Sequence, residues 1–301
     1  MRSKLIIFIC CLFQLFLYSS STINLSEQQS KPDMKLYGYA AASFKIGTLL
    51  FYDKLNNQQS FNKNWIVQQS KSDLQLKRFA KIDSGKLVVH DPRGCTIWFK
   101  NKMEGNFMIS YKVIASSYYN EGNNILPRDI NQFWMANTPK KTDVFAKGGL
   151  FDSAKYDGEF KPYDDLIGYY ASTGGGNITT NNRTTRMRRY PRSSDGKLVN
   201  HVGLNNRDDD TAFLIKPNKE HLVQLVAAND IVQYIFDGKV VYEIKKGDVV
   251  VILNDSNKNV TKGIWDSVPW TSYQSGYFGF RMTRTHHVYS DFKVFNLIKV
   301  N

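Results

Sequence analysis

No stretch of this 301-residue chain keeps a helical 3.6 period; short extended runs punctuated by turns recur instead. This pattern constrains the fold most, because short strands bury a face only by packing sheet on sheet. Residues 86–90 form one run and end at the turn signal Asp91-Pro92-Arg93-Gly94. Runs at 96–100 and 107–115 follow, with Met103-Glu104-Gly105 between them. Residues 131–136 are aromatic-rich, and 165–171 lead into a Gly-rich loop. Runs at 220–228 and 231–236 flank an Asn229-Asp230 turn. Asp237-Gly238 then signals a type I′ hairpin into 239–244. Runs at 276–282 and 289–300 close the chain. Aromatic residues make up 14% of the sequence, enough for a thick apolar core. The expected fold is all-β, a two-sheet sandwich over residues 48–301, preceded by a polar arm at 23–47.

The first residues bear on the compartment. Arg2 and Lys4 precede an apolar run at 5–18, and Ser19-Ser20-Ser21-Thr22 supplies small residues for cleavage. Residues 1–22 therefore read as a signal peptide, too short for a membrane span. Ile9 or Cys10 stands where a lipobox needs a small residue, so Cys10 and Cys11 do not read as lipidation sites. The expectation is a secreted or periplasmic protein, without membrane insertion once the leader is removed. Of three cysteines only Cys95 then remains, so the fold rests on its core and not on an internal disulfide. Cys95 itself reads as a buried apolar side chain.

The formal net charge is +13, and the leader accounts for two of those charges. Such an excess suggests an acidic partner. A nucleic acid lacks a recognition motif here, and a membrane surface lacks a basic amphipathic helix. An acidic or sulfated polysaccharide is the remaining partner; the bland alternative is charge that only aids solubility.

The densest cationic segment follows Gly174-Gly175-Gly176-Asn177 and carries Arg183, Arg186, Arg188, Arg189 and Tyr190. Thr184 and Thr185 favour extended backbone. Alternation then puts Arg186, Arg188 and Tyr190 on one face, with Met187 and Arg189 on the other. Guanidinium forks beside a phenol suit a sugar carboxylate or sulfate. A solvated basic edge strand is the competing reading.

Several segments carry a resemblance. They are Leu50-Phe51-Tyr52-Asp53 with Asn64-Trp65-Ile66-Val67, Gly94-Cys95-Thr96-Ile97-Trp98-Phe99-Lys100, and Gly276-Tyr277-Phe278-Gly279-Phe280-Arg281 with Asp291-Phe292-Lys293-Val294. Together they resemble concanavalin A-like carbohydrate proteins over roughly residues 48–299. Asn131-Gln132-Phe133-Trp134-Met135-Ala136 and Thr184-Thr185-Arg186-Met187-Arg188-Arg189-Tyr190 are similar to the YesU-like branch. The resemblance implies a β-jelly roll with a concave glycan groove and a link to breakdown of uronate polysaccharides. Laminarinase-like members carry a Glu-x-Asp-x-Glu strand that this sequence lacks. The paired carboxylates of a retaining glycosidase are therefore not legible here.

A polysaccharide lyase needs other groups: one to neutralise the uronate carboxylate, a base for the adjacent proton, and an acid for the leaving oxygen. Arg186, Arg188, Arg189 and Asn131 suit the first task. Tyr190, Tyr170, His201 and His286 suit the others, with Tyr190 preferred because neighbouring arginines favour its phenolate. Trp134, Tyr169 and Tyr170 are candidate sugar platforms, although a core place for Trp134 is as good a reading. Phe133 and Met135 read as core. Asn177 and Arg281 complete the expected substrate contacts. His90 reads as structural or exposed, and His221 as a surface residue. No spaced His/Cys cluster suggests a metal, Asp208-Asp209-Asp210 reads as a solvated turn, and no cofactor is expected. The leading expectation is β-elimination on an acidic glycan. A noncatalytic glycan binder and a glycoside hydrolase without the Glu triplet are the alternatives.

Overall fold

The computed structural model describes residues 34–70, 77–119, 123–124, 127–140, 143–175, 185–204, 213–254 and 258–300. Helix α1 (Gly38–Ser43) leads into β1 (Phe44–Asp53), and α2 (Gln58–Asn64) into β2 (Trp65–Gln69). There follow β3 (Phe79–Asp83), β4 (Lys86–Asp91), β5 (Cys95–Phe99), β6 (Met103–Glu104) and β7 (Phe107–Ala115). Next come β8 (Tyr118–Tyr119), β9 (Asn123–Asn124), β10 (Ile130–Asn137), β11 (Ile167–Thr173) and β12 (Thr185–Tyr190). The short β13 (Ser193–Ser194), β14 (Lys197–Leu198) and β15 (His201–Gly203) lead to β16 (Glu220–Ala228) and β17 (Ile231–Phe236). The chain closes with β18 (Lys239–Ile244), β19 (Val249–Leu253), β20 (Asn259–Ile264), β21 (Ser275–Met282) and β22 (Thr285–Lys299). Strand β1 starts at Phe44, four residues before the run expected from Thr48. Residues Lys35–Asn301 form one compact unit.

Two large antiparallel sheets make a jelly-roll sandwich. The eight-stranded sheet runs β18-β17-β16-β7-β22-β4-β3, with β1 also on β22. The ten-stranded sheet runs β2-β5-β21-β10-β11-β12-β15-β19-β20, with β6 on β21. The β17–β18 hairpin turns at Asp237 (φ 50°) and Gly238 (φ 73°), as the Asp-Gly signal requires.

Alternate residues of both sheets meet in one apolar core. Leu87, Ile109, Tyr111, Leu225, Tyr234 and Phe292 come from the first sheet; Trp65, Ile97, Trp134, Tyr169, Met187 and Phe280 come from the second. Cys95 lies there too, and burial pushes its thiol pKa well up. Met135 breaks the alternation. Its φ is 54°, and the register slips on both sides of it. This bulge lets Trp134 and Met135 both enter the core while Phe133 faces outward. Gly276 passes against this bulge so closely that a Cβ would lie 2.1 Å from the Met135 carbonyl carbon.

The histidines correct two expectations. His221 is buried, its Nδ1 lies 2.8 Å from Asp237 Oδ2, and its ring stacks on Phe236. His286 pairs with His90 on the outer side of the eight-stranded sheet, away from the arginine strand β12. His287 points into the core with Nδ1 2.9 Å from the Tyr289 hydroxyl, and desolvation lowers its pKa to about 4. Desolvation and the His286 charge lower His90 to about 4 as well.

A depressed histidine pKa means that protonation opposes the folded state. Its contribution is present above the unfolded value of about 6.5 and is lost as pH falls toward the folded value. Chemical unfolding is therefore expected to give stability that drops between about pH 6.5 and 4. Each histidine contributes a slope of about 1.4 kcal/mol per pH unit. His287→Gln should flatten the drop; an unchanged slope would contradict the assignment.

Candidate functional site

The outward residues of the ten-stranded sheet fall into rows fixed by its register. Gln68, Thr96, Arg281, Asn131, Ser172 and Arg186 stand opposite one another in turn, a polar row across five neighbouring pairings. Beside it runs a second row of Trp98, Gly279, Phe133, Tyr170, Arg188 and Gly203. Tyr190 and His201 follow on the same side, one step beyond the Arg189–Val202 pair. Arg186, Arg188, Tyr190, Tyr170, Asn131, Arg281 and His201 thus share one face, as strand alternation implies.

That face is not an open groove. Residues 143–166, between β10 and β11, cross it as a strap. Leu150, Phe151, Tyr156, Tyr163 and Leu166 pack on Trp98, Phe133, Ala136, Tyr170 and Tyr190 in a second apolar cluster. Gly158 anchors the strap to the sheet rim. Its φ is +84°, and a Cβ would meet Gly94 O at 2.2 Å, so only glycine fits. Gln68 binds from below: its Nε2 donates to Leu150 O (2.9 Å), while its Oε1 accepts from Tyr163 Oη (2.9 Å) and Trp98 Nε1 (2.7 Å).

The arginines take distinct parts. Arg281 is buried; its Nη1 donates to Gly158 O (2.6 Å), Met282 O (3.1 Å) and Cys95 O (3.2 Å), and its guanidinium lies 4.9 Å from the Tyr163 ring centre. Arg281 Nη2, Asn131 Oδ1 and Arg186 Nε are buried atoms with no hydrogen-bond partner among the described residues. Arg192 Nη1 donates to Asp164 Oδ1 at 3.2 Å, and its amide to Asp164 O at 2.7 Å. Arg189 does not face the site. It lies on the other side of β12, where Nε donates to Thr271 O (2.9 Å) and the guanidinium sits 4.2 Å above the Tyr273 ring. Among the described residues, four guanidiniums, of Arg186, Arg188, Arg192 and Arg281, act on this face, against the acids Asp164, Asp165 and Asp129, of which Asp165 is paired with Lys155. Positive charge is in excess.

Burial decides the state of the acids and phenols here. Desolvation raises the Asp164 carboxyl even against Arg192, Arg188 and Arg281. It also raises Tyr190, which Arg192 and Arg188 pull back only in part. Tyr170, stacked on Tyr190 with ring centres 5.6 Å apart, is raised by burial and by Tyr190. Tyr190 therefore stays protonated near neutrality, and the expectation that its arginine neighbours make it a base is corrected.

Other sequence expectations change place. Trp134 and Tyr169 lie between the sheets, so neither can stack on a sugar. Tyr170 faces outward but is packed beneath the strap. His286 belongs to the opposite sheet. Asn177, Arg183 and Asp208-Asp209-Asp210 lie outside the described residues. Arg192 and the strap were not read from the sequence. The signal was there in the aromatic spacing of Phe145, Phe151, Tyr156, Phe160 and Tyr163, in a stretch without strand alternation. Among the described residues no helix is long and apolar enough to cross a membrane.

The fold is similar to that of a Bacillus subtilis protein of unknown function with a galectin-like fold. The TM-score is 0.55 at 16% identity, over 85% of this chain and all of that one. A laminarinase from Flavobacterium sp. UMI-01 gives 0.47 at 13% identity, over 83% of this chain and 100% of that one. The carbohydrate-binding module CBM66 from Bacillus subtilis gives 0.43 at 11%, over 77% and 96%. No curated protein matches the chain in sequence. The family described as "Domain of unknown function (DUF6250)" matches residues 89–251, more than half of the sequence, and the chain belongs to that family.

Proposed function

We propose that the protein is exported and acts on an acidic, uronate-bearing glycan through the outward face of its ten-stranded sheet. The observation that carries this is the excess of guanidinium over carboxylate on that face, where Arg186 Nε, Arg281 Nη2 and Asn131 Oδ1 have no hydrogen-bond partner among the described residues. Buried guanidinium donors without an acceptor are costly, and a ligand carboxylate or sulfate would accept from them while a sugar hydroxyl donates to Asn131 Oδ1. Export rests on the leader-like residues 1–22. The YesU-like resemblance of residues 131–136 and 184–190 agrees with an acidic polysaccharide as substrate.

The reaction that fits is β-elimination. Arg188 and Arg186 would bind the uronate carboxylate and acidify the proton at C5. His201 would take that proton as the C4–oxygen bond breaks and a C4=C5 double bond forms. Tyr190, kept protonated by burial, would donate its proton to the leaving oxygen. Incubation with pectic, alginate, ulvan and glycosaminoglycan substrates should raise ultraviolet absorbance from the unsaturated product. His201→Ala and Tyr190→Phe should keep binding and lose at least about 100-fold in turnover. A specific observation favours a second reading, noncatalytic binding: His201 and Tyr190 are each only 1% exposed. Binding without any absorbance rise on these substrates would replace the lyase by a glycan-binding protein.

A further inference from the structure

The strap closes the aromatic half of the sheet face, so a long glycan cannot lie flat along it. Open space lies instead along the strap's flank, in two cavities that meet at Thr138. One, of about 590 Å³, is lined by Asn137, Ser272, Tyr273, Gln274 and Tyr277. The other, of about 430 Å³, is lined by Lys140, Lys147 and Lys155, by Asp165 and Asp195, and by Ser193. Both border the strand end that carries Tyr190. Tyr273 Oη donates to Tyr190 O at 2.6 Å, and Pro191 lines the second cavity.

We propose that these cavities form one saccharide-binding groove, which seats a neutral face of a sugar at Tyr273 and Tyr277 and an acidic group at Lys140 and Lys147. The ligand class rests on the acidic-glycan reading above; the groove is a separate site from the arginine row. Both volumes match small-ligand pockets. The tyrosines are held before any ligand arrives. Tyr277 packs edge-on against Phe151 with ring centres 5.1 Å apart, and Arg189 covers one side of Tyr273. Pre-fixed rings lose little freedom on binding. The amides select for hydroxyl donors. Asn137 Nδ2 already donates to Ser275 O (2.8 Å), and Gln274 Nε2 to Asn229 O and Ser272 Oγ (both 2.9 Å). Among the described residues no donor meets their side-chain carbonyl oxygens, which suits sugar hydroxyls. In the second cavity Lys155 pairs with Asp165 at 2.8 Å, whereas Lys140 and Lys147 make no ion pair among the described residues. Lys102 at the other end is paired with Glu104. Among the described residues Lys140 and Lys147 are therefore the groove's cations outside an ion pair. The acidic group of the sugar would sit between them, clear of the lining Asp143 and Asp195.

The test is calorimetric titration of the full-length protein with polygalacturonate and alginate oligosaccharides, at low and high salt. The Lys140→Ala/Lys147→Ala double variant changes exposed side chains and should keep the parent melting temperature. It should bind about tenfold more weakly and lose much of its salt dependence. Tyr277→Ala should weaken binding without altering the salt dependence. Arg186→Ala is the comparison that separates the two sites. Loss in the groove variants supports the groove, whatever Arg186→Ala does. Groove variants that bind like the parent while Arg186→Ala fails would overturn the groove and leave the acidic-glycan reading intact. No binding by the parent to any acidic oligosaccharide would overturn both.

Discussion

Arg281→Ala is expected to destabilise the protein by roughly 3–5 kcal/mol, the cost of losing several buried hydrogen bonds to a charged donor. The guanidinium is 1% exposed and joins three carbonyls from different segments: Cys95 at the start of β5, Gly158 in the strap, and Met282 at the end of β21. Its removal takes away those three hydrogen bonds and the cation beside the Tyr163 ring. Lysine cannot restore the arrangement, since an ammonium lacks the planar fork. Urea unfolding measures the loss, and limited proteolysis should show faster cleavage within residues 143–166. A change below about 1 kcal/mol would mean that Arg281 does not anchor the strap.

The second large effect falls on ligand binding. Arg186→Ala and Arg188→Ala should each weaken an acidic oligosaccharide by about 1.5–3 kcal/mol, roughly ten- to a hundredfold. Neutral oligosaccharides should be indifferent to both changes. Arg186 is the cleaner probe, because it is only half buried and its Nε has no partner among the described residues. Arg188 is buried beside Tyr170 and Asp164, so its replacement needs a melting curve alongside the titration. Unchanged affinity in both variants would leave the segment as the basic strand that sequence reading also allowed.

Much of the sandwich was legible in the sequence because turn chemistry and alternation are local. Asp237-Gly238 placed its hairpin, and the runs at 107–115, 220–228 and 231–236 are the observed β7, β16 and β17. Arg186, Arg188 and Tyr190 share a face because strand period alone decides that. The errors came where a distant segment decides. Phe133 and Met135 were expected on one side, but Met135 turns inward beside Trp134 at a bulge that packs against Gly276, while Phe133 faces outward. Tyr190 is held protonated by burial beneath residues far from it in sequence. His286 looked close to Arg281 along the chain, but β21 and β22 belong to opposite sheets.

The structure of the protein with an acidic oligosaccharide bound tests the central claim most directly. The account predicts a sugar carboxylate or sulfate about 3 Å from the Arg186 or Arg188 guanidinium, on the strap side of the ten-stranded sheet. A saccharide whose acidic groups face solvent, or one seated on the eight-stranded sheet, would contradict it.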